Sequence, residues 1–239
     1  EPSESTNGMM QTWPLLSLLV WLPILGGVGV LAAGEARAQA ARWLGLGVAL
    51  ATLLLCIPLL ANFDSANAAL QLVERESWIG TINAFYHLGV DGIAVALIVL
   101  TAFCTVLVLI GAWEAIEDRV HQYVASFLVL EGLMIGVFCA ADALLFYVFF
   151  EAMLIPMFII IGIWGGPRRV YATLKFFIYT FFGSIFMLVG LIYLYLKGGS
   201  WALSDLATLP LSAREQMWLF FAFLLAFAVK VPMWPVHTW

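Results

Sequence analysis

Two ionisable residues lie inside long apolar stretches, where a charge is costly. Glu151 lies within ALLFYVFFEAMLIPMFIIIGIW, residues 143–164, and Lys230 lies within MWLFFAFLLAFAVKVP, residues 217–232. At the centre of a bilayer a charged side chain costs at least about 2.5–3.5 kcal/mol. A charge persists there when it has a partner, water or a chemical role, so we expect both side chains to act on ions.

Prolines follow both residues and should open the backbone beside them. Pro156 lies five residues after Glu151 and deprives a nearby carbonyl of its helical donor. Pro232 and Pro235 follow Lys230 closely, which predicts that the helix breaks at the lysine. Broken helices at membrane depth occur where the backbone lines a cavity, commonly in an ion pathway. The alternatives are a neutral glutamic acid that holds helices together and a lysine that reaches the membrane surface.

Three other ionisable residues are weaker candidates for the same chemistry. His237 lies seven residues after Lys230, where an imidazole is either a proton relay or an interfacial side chain. Lys175 belongs to a polar stripe with a period of four residues, and it either lines a path or reaches the surface. Glu131 precedes Gly132-x-x-x-Gly136, a spacing that allows close helix contact, and it either pairs across that contact or lines a path.

Composition places the chain in a membrane. The 239 residues are 64% hydrophobic and 10% charged, with a mean hydropathy of +1.03. Soluble domains are about 45–50% apolar and about 25% charged. The net charge of −5, without a basic run, gives no support for nucleic-acid binding.

Motifs for cofactors and metals are absent from the sequence. Cys56, Cys104 and Cys139 each stand alone in an apolar stretch, so we expect neither a zinc site nor an iron–sulfur cluster. The sequence has no dinucleotide fingerprint, no P-loop and no nucleophile elbow. We therefore expect no metal, NADH, flavin or ATP site in this chain.

The sequence predicts an all-α polytopic membrane protein with about seven transmembrane helices. The seventh helix is expected to be discontinuous at Pro232 and Pro235. The predicted spans are residues 14–33, 43–61, 92–113, 122–140, 143–164, 170–196 and 216–237. Residues 1–13 are a polar N-terminal extension, and 14–121 hold helices 1–3 with an extramembrane loop at 62–91. That loop contains Trp78 and Phe85, which favours a short hairpin on the membrane surface.

Loop charges suggest an orientation with the N-terminus outside. Five basic residues then fall in inner loops, namely Arg37, Arg42, Arg119, Arg168 and Arg169. The outer loops hold the three basic residues Arg75, Lys197 and Arg214. Asp142, next to an outer loop, is expected to be a solvated or helix-capping residue.

Three segments carry a resemblance to a known family. FFEAMLIPMFIIIGIWGGPRRVYATLKFFIYTFFGS, residues 149–184, and FAVKVPMWPVHTW, residues 227–239, closely resemble subunit M of the proton-pumping NADH:quinone oxidoreductase, respiratory complex I. Subunit M is the bacterial counterpart of mitochondrial chain 4, and the family is similar to Mrp-type cation/proton antiporter subunits. ERESWIGTINAFYHLGVDGIAV, residues 74–95, looks like the segment before that subunit's third helix.

The resemblance implies specific roles and surroundings. It implies that Glu151 of the fifth helix pairs with Lys230 of a broken seventh helix, and that His237 continues the path; Glu131 and Lys175 are lesser candidates. Residues 122–239 would be the first part, helices 4–7, of an antiporter-like proton-translocation module. Family members continue for about as many residues again, so the later lysine, glutamate and second broken helix are absent and the chain should not pump alone.

The function implied is that of a non-redox subunit of a translocase. We expect a membrane-arm subunit that takes part in proton translocation coupled to electron transfer from NADH to quinone. NADH, FMN, iron–sulfur clusters and quinone would reside on other subunits, and L- and N-type antiporter-like subunits would flank this one in the bacterial inner membrane. Alternatives are a stand-alone Na⁺/H⁺ antiporter subunit of the Mrp type, a structural scaffold of the membrane arm, and an NADH- or quinone-oxidising subunit in its own right, for which the missing cofactor motifs weigh against NADH but not against quinone.

Overall fold

The computed structural model describes residues 13–239, which form a helical bundle with one β-hairpin. The predicted N-terminal extension, residues 1–13, lies outside the described residues except for Trp13. The elements are α1 Leu15–Ala33, α2 Ala38–Asn62, β1 Gln71–Ile79, β2 Ala84–Val90, α3 Gly92–Gly111, α4 Val120–Cys139, α5 Ala143–Ala152, α6 Leu154–Trp164, α7 Arg169–Gly198, α8 Leu203–Ala207 and α9 Ala213–Lys230. The all-α membrane class is thereby confirmed.

Six of the seven predicted spans are long and apolar enough to cross a membrane. They are α1, residues 35–62 including α2, α3, α4, residues 143–164 comprising α5 and α6, and α7. The seventh forms α9, which has 18 residues and includes the charged residues Arg214, Glu215 and Lys230. The predicted count of seven is therefore approximate.

Two interruptions divide the predicted spans five and seven. The fifth span stops at Met153 and resumes as α6, because Pro156 removes one of the amide donors that would continue the helix. Helix α9 ends at Lys230, and residues 231–239 form turns and irregular structure. The backbone is thus opened in the immediate neighbourhood of Glu151 and at Lys230.

The loop at 62–91 forms the predicted hairpin. Strands β1 and β2 pair antiparallel, with Arg75 opposite His87 and Glu76 opposite Tyr86. The Glu74 carboxylate of β1 accepts hydrogen bonds from the backbone amides of Leu16, at 2.7 Å, and Ser17, at 3.1 Å. Because Pro14 offers no side-chain cap, the hairpin itself satisfies the first turn of α1.

Close packing of α1 on α4 forms the centre of the N-terminal half. A Cβ atom at Gly132 would lie only 2.4 Å from the Val20 carbonyl oxygen, and one at Gly27 would lie 2.9 Å from the Ala125 carbonyl oxygen. Glycine at these positions lets the two backbones approach more closely than any larger residue allows. Buried leucines such as Leu16 and Leu19 fill the space around this contact.

The connecting segments gather at two ends of the bundle. At the hairpin end, the amide of Ala141 donates to the backbone carbonyl of His87 at 2.9 Å, and the Trp201 indole donates to the backbone carbonyl of Ile82 at 3.0 Å. At the opposite end, Arg42 donates to the Ile116 carbonyl at 2.8 Å, and the Trp164 indole donates to the backbone carbonyl of Asp118 at 3.0 Å. Successive membrane spans therefore run in alternating directions, with α6 continuing in the direction of α5.

Candidate functional site

Glu151 lies in the last turn of α5, which is held at its start by Asp142. The Asp142 side chain accepts from the amides of Leu144, at 2.9 Å, and Leu145, at 3.1 Å, and so caps the helix. Its second oxygen accepts from the Phe85 amide of β2 at 3.1 Å. One buried carboxylate thus joins the hairpin to the helix that carries Glu151, which confirms the capping role expected for Asp142.

The Glu151 carboxyl group is half-buried and incompletely satisfied. Its Oε1 atom is buried and has no hydrogen-bond partner in the described part of the chain. The Ser184 hydroxyl of α7 lies beside both Glu151 and Tyr147. That hydroxyl donates at 2.9 Å to the Phe181 carbonyl, so it is not committed to the carboxylate. A carboxyl group in this setting has capacity to bind a proton or a water molecule.

Lys230 occupies the C-terminal end of α9 and contacts α5. Its Nζ atom donates to the Phe150 carbonyl at 3.4 Å and lies 4.0 Å from the centre of the Phe150 ring. A desolvated cation over an aromatic face gains about 2 kcal/mol or more. The ring is fixed by contacts with Phe146, at 5.6 Å between centroids, and Phe227, at 6.3 Å.

The two charges interact through space rather than by direct contact. Each is within electrostatic range of the other. Across residues 13–239 the one direct ion pair joins Lys197 to Glu215, near the hairpin end of the bundle. Glu151 and Lys230 are therefore brought together, with the ammonium held on the neighbouring residue Phe150 and the carboxyl group left open.

The structure separates Glu131 from this pair. The Glu131 side chain lies in α4, is only 1% exposed, and has both oxygens without a partner among the described residues. Its ionisable neighbour is Cys56 of α2, and no electrostatic interaction joins it to Glu151 or Lys230 within the described chain. Glu131 is thus a second, isolated buried acid.

Lys175 and His237 also lie apart from the pair. The Lys175 ammonium sits near the rings of Tyr171 and Tyr179, at 5.9 and 5.6 Å from their centroids. His237 is exposed within residues 231–239 and has no hydrogen bond to any residue the structure describes. Neither residue contacts Glu151 directly in this arrangement.

Sequence reasoning missed Phe150 and Ser184. Phe150 is separated from Lys230 by 80 positions, and an aromatic residue in an apolar helix carries no signal for a cation contact. Ser184 had a usable signal, since a hydroxyl between apolar residues of a span is polar and must find a partner. Together with Glu151 and Lys230, these residues can bind, hold and release a proton at the end of two interrupted helices.

Comparison with known proteins finds similarity to one family in the part of the chain that holds Glu151 and Lys230. Residues 140–239 match the family model described as NADH:quinone oxidoreductase/Mrp antiporter, transmembrane. Over 94% of its length the chain is 47% identical to NADH-quinone oxidoreductase subunit M of Rhodobacter capsulatus, covering 47% of that protein. It is 42% identical to NADH-ubiquinone oxidoreductase chain 4 of Arabidopsis thaliana, covering 94% of this chain and 46% of that one. The chain spans about half the length of the curated relatives it matches.

Solved structures show the same fold. A chain of respiratory complex I from Thermus thermophilus with bound NADH matches with a TM-score of 0.81 and 30% identity, over 94% of this chain and 45% of that chain. The Mrp complex from Dietzia sp. DQ12-45-1b matches with a TM-score of 0.81 over 94% of this chain and 24% of that chain. At 16% identity, the second match is a similarity of fold alone.

Proposed function

Residues 140–239 belong to the NADH:quinone oxidoreductase/Mrp antiporter family of transmembrane proteins, and we propose that this chain takes part in proton translocation as a membrane-arm subunit of an NADH:quinone oxidoreductase. The similarity to subunit M and chain 4 over 94% of the chain supports this assignment over that of an independent antiporter. The chain acts as a non-redox part of the translocase.

One observation carries the proposal. A carboxyl group with a buried, unpartnered oxygen lies near a lysine that has no direct counter-charge, and both lie where a membrane helix is interrupted. A purely structural ion pair would place the two groups in contact and satisfy the carboxylate. The observed separation of Glu151 from Lys230 instead leaves each able to change its protonation state.

A change in the electrostatic stabilisation of Lys230 by Glu151 releases the proton from the Lys230 ammonium. While Glu151 is ionised, its charge stabilises the ammonium through space. Two unit charges about 5–8 Å apart interact by roughly 2–3 kcal/mol at an effective dielectric of about 20, which is at least a tenfold change in proton affinity. Protonation or displacement of the Glu151 carboxylate removes that stabilisation, and the Nζ proton passes to water while the amine keeps the electron pair. His237, and in lesser roles Glu131 and Lys175, remain predicted members of the wider path.

The remaining parts of the proposal concern the surroundings. The chemistry of NADH and quinone takes place on other subunits, which hold FMN and the iron–sulfur clusters, while residues 122–239 supply the first part of a translocation module. Subunits of the L and N type flank the chain in a bacterial inner membrane. The N-terminus lies outside, which is supported by the basic residues gathered at the end of the bundle opposite the hairpin.

The test is Glu151→Gln in the complete enzyme. Glutamine keeps the size of the side chain and removes its charge and its proton-binding role, so protons pumped per NADH oxidised should fall at least about tenfold. Glu117→Gln, an exposed glutamate in the loop after α3, is the matched control and should pump normally. Normal proton pumping by the assembled Glu151→Gln enzyme would contradict the proposal.

Two other functions give different outcomes. For an independent Mrp-type antiporter, the fold similarity is the supporting observation, and Na⁺-dependent proton exchange should occur without NADH-oxidising subunits copurifying. For a structural scaffold, Glu151→Gln should change the thermal stability of the complex and leave pumping intact.

A further inference from the structure

A cavity that is lined by neither Glu151 nor Lys230 lies at the start of α7. Its volume is about 350 Å³, and its lining includes Arg168, Arg169 and Lys175. The apolar part of the lining comes from Ile161 of α6 and from the Tyr171 and Trp239 rings. This space, hereafter the basic cavity, therefore combines three cationic side chains with an apolar and aromatic wall.

The positive charge of the basic cavity is uncompensated. No carboxylate belongs to its lining, and none of its three cationic side chains has a direct ion pair among residues 13–239. Asp118 lies at the same end of the bundle, where its backbone carbonyl accepts from the Trp164 indole, and its carboxylate pairs with neither arginine. Unneutralised cations that converge on one cavity attract an anion.

The position of the cavity points to the kind of anion. Lys175 lies six residues after Arg169 along α7, or about 9 Å deeper at 1.5 Å per residue. Charge at the end of a span, with a lysine below it and aromatic rings beside it, matches the boundary between headgroups and acyl chains. Tyr171 is 65% exposed, so its face of the helix is open to lipid.

We propose that the basic cavity binds the phosphate headgroup of an anionic phospholipid. Arg168 and Arg169 bind the phosphate oxygens with their forked donors, and Lys175 supplies a point charge beneath them. The acyl chains lie along the apolar wall at Ile161. This site contains neither Glu151 nor Lys230, and lipid binding goes beyond the translocation function.

The test measures lipid binding to the complete protein in its complex. The purified, delipidated complex is titrated with phosphatidylglycerol, and bound lipid is counted by native mass spectrometry. We expect the variant Arg168→Gln/Arg169→Gln/Lys175→Gln to bind one phosphatidylglycerol molecule at least about tenfold more weakly. The control Arg37→Gln/Arg119→Gln removes two exposed charges from the same end of the bundle and should bind as the wild type does.

Four results would overturn the proposal. They are equal binding by the triple variant and wild type, equal weakening in the control, equal binding of zwitterionic phosphatidylcholine, and displacement of the lipid by millimolar inorganic phosphate. If the triple variant fails to assemble, Arg168→Gln and Arg169→Gln apply the same test singly, because both side chains are exposed. Arg168→Lys/Arg169→Lys should bind more weakly than the wild type and more tightly than the triple variant, since the positive charge is kept and the forked donors are lost.

Discussion

The Lys230 ammonium rests on Phe150, the residue just before Glu151 in the sequence. It donates to the Phe150 carbonyl at 3.4 Å and lies 4.0 Å from the centre of that ring. The lysine is thus held in place by a neutral residue, while its charge is balanced from a distance by Glu151. Phe150 therefore sets the position of the Lys230 ammonium, and Glu151 compensates its charge.

Lys230→Arg should fail to pump although it keeps the positive charge. A guanidinium stays protonated in proteins, so it can occupy the position over Phe150 without releasing a proton. Protons pumped per NADH should fall at least about tenfold, as in Lys230→Met, while the arginine variant assembles normally. Pumping by the arginine variant at the wild-type ratio would show that Lys230 is a fixed structural cation.

Removal of the Glu74 carboxylate should destabilise the hairpin and the start of α1. Glu74→Ala leaves the amides of Leu16 and Ser17 without their acceptor, at a cost of about 2–3 kcal/mol. Thermal unfolding in detergent measures this loss. Glu76→Ala, an exposed residue of the same strand, should change stability by no more than about 0.5 kcal/mol. Equal effects of the two substitutions would rule out the capping role.

Gly132→Ala should weaken the contact between α1 and α4. The added methyl group would lie 2.4 Å from the Val20 carbonyl oxygen and 2.6 Å from the Ile24 side chain, so the helices must separate. We expect a loss of about 1–3 kcal/mol. Gly47→Ala in α2 meets nothing within 4 Å and should be neutral or stabilising, because alanine favours the helix. A neutral Gly132→Ala would show that this contact relaxes freely.

The hairpin should lose stability as the pH falls. Partial burial, and then the charge of Arg75, lower the pKa of His87 below its usual 6.5, and Asp142 and Asp205 oppose this effect. The unfolded chain therefore binds more protons than the folded one near and below pH 6.5, so the His87 contribution is present above that pH and lost below it. Melting temperatures measured between about pH 5 and pH 8 should show a slope that decreases in His87→Gln and in Arg75→Gln. An unchanged slope in His87→Gln would contradict the assignment.

Most of the membrane helices were predictable because hydrocarbon demands long apolar runs. Boundaries were less accurate where polar residues begin a helix. Helix α2 starts at Ala38 rather than residue 43, in a first turn with little hydrophobicity. Helix α9 starts at Ala213, and its signal was present in the sequence, since Ser212 and Glu215 form a capping box.

The candidate site was predictable in its ionisable residues and not in its contacts. Charges in apolar runs identified Glu151 and Lys230, because burial makes them costly. The contact of Lys230 with Phe150 depends on how α9 packs on α5, and no local pattern encodes a contact between residues 80 positions apart. The isolation of Glu131 likewise follows from tertiary packing, since its glycine-rich surroundings predict close helices without saying which residues face them.

Asp142 gives the surface of the protein a mechanical connection to the membrane interior. Its carboxylate binds the Phe85 amide in the hairpin and the first turn of α5, which has 10 residues and ends beside Met153. Glu151 lies in the last turn of that helix, so the hairpin and Glu151 are joined through a single short helix.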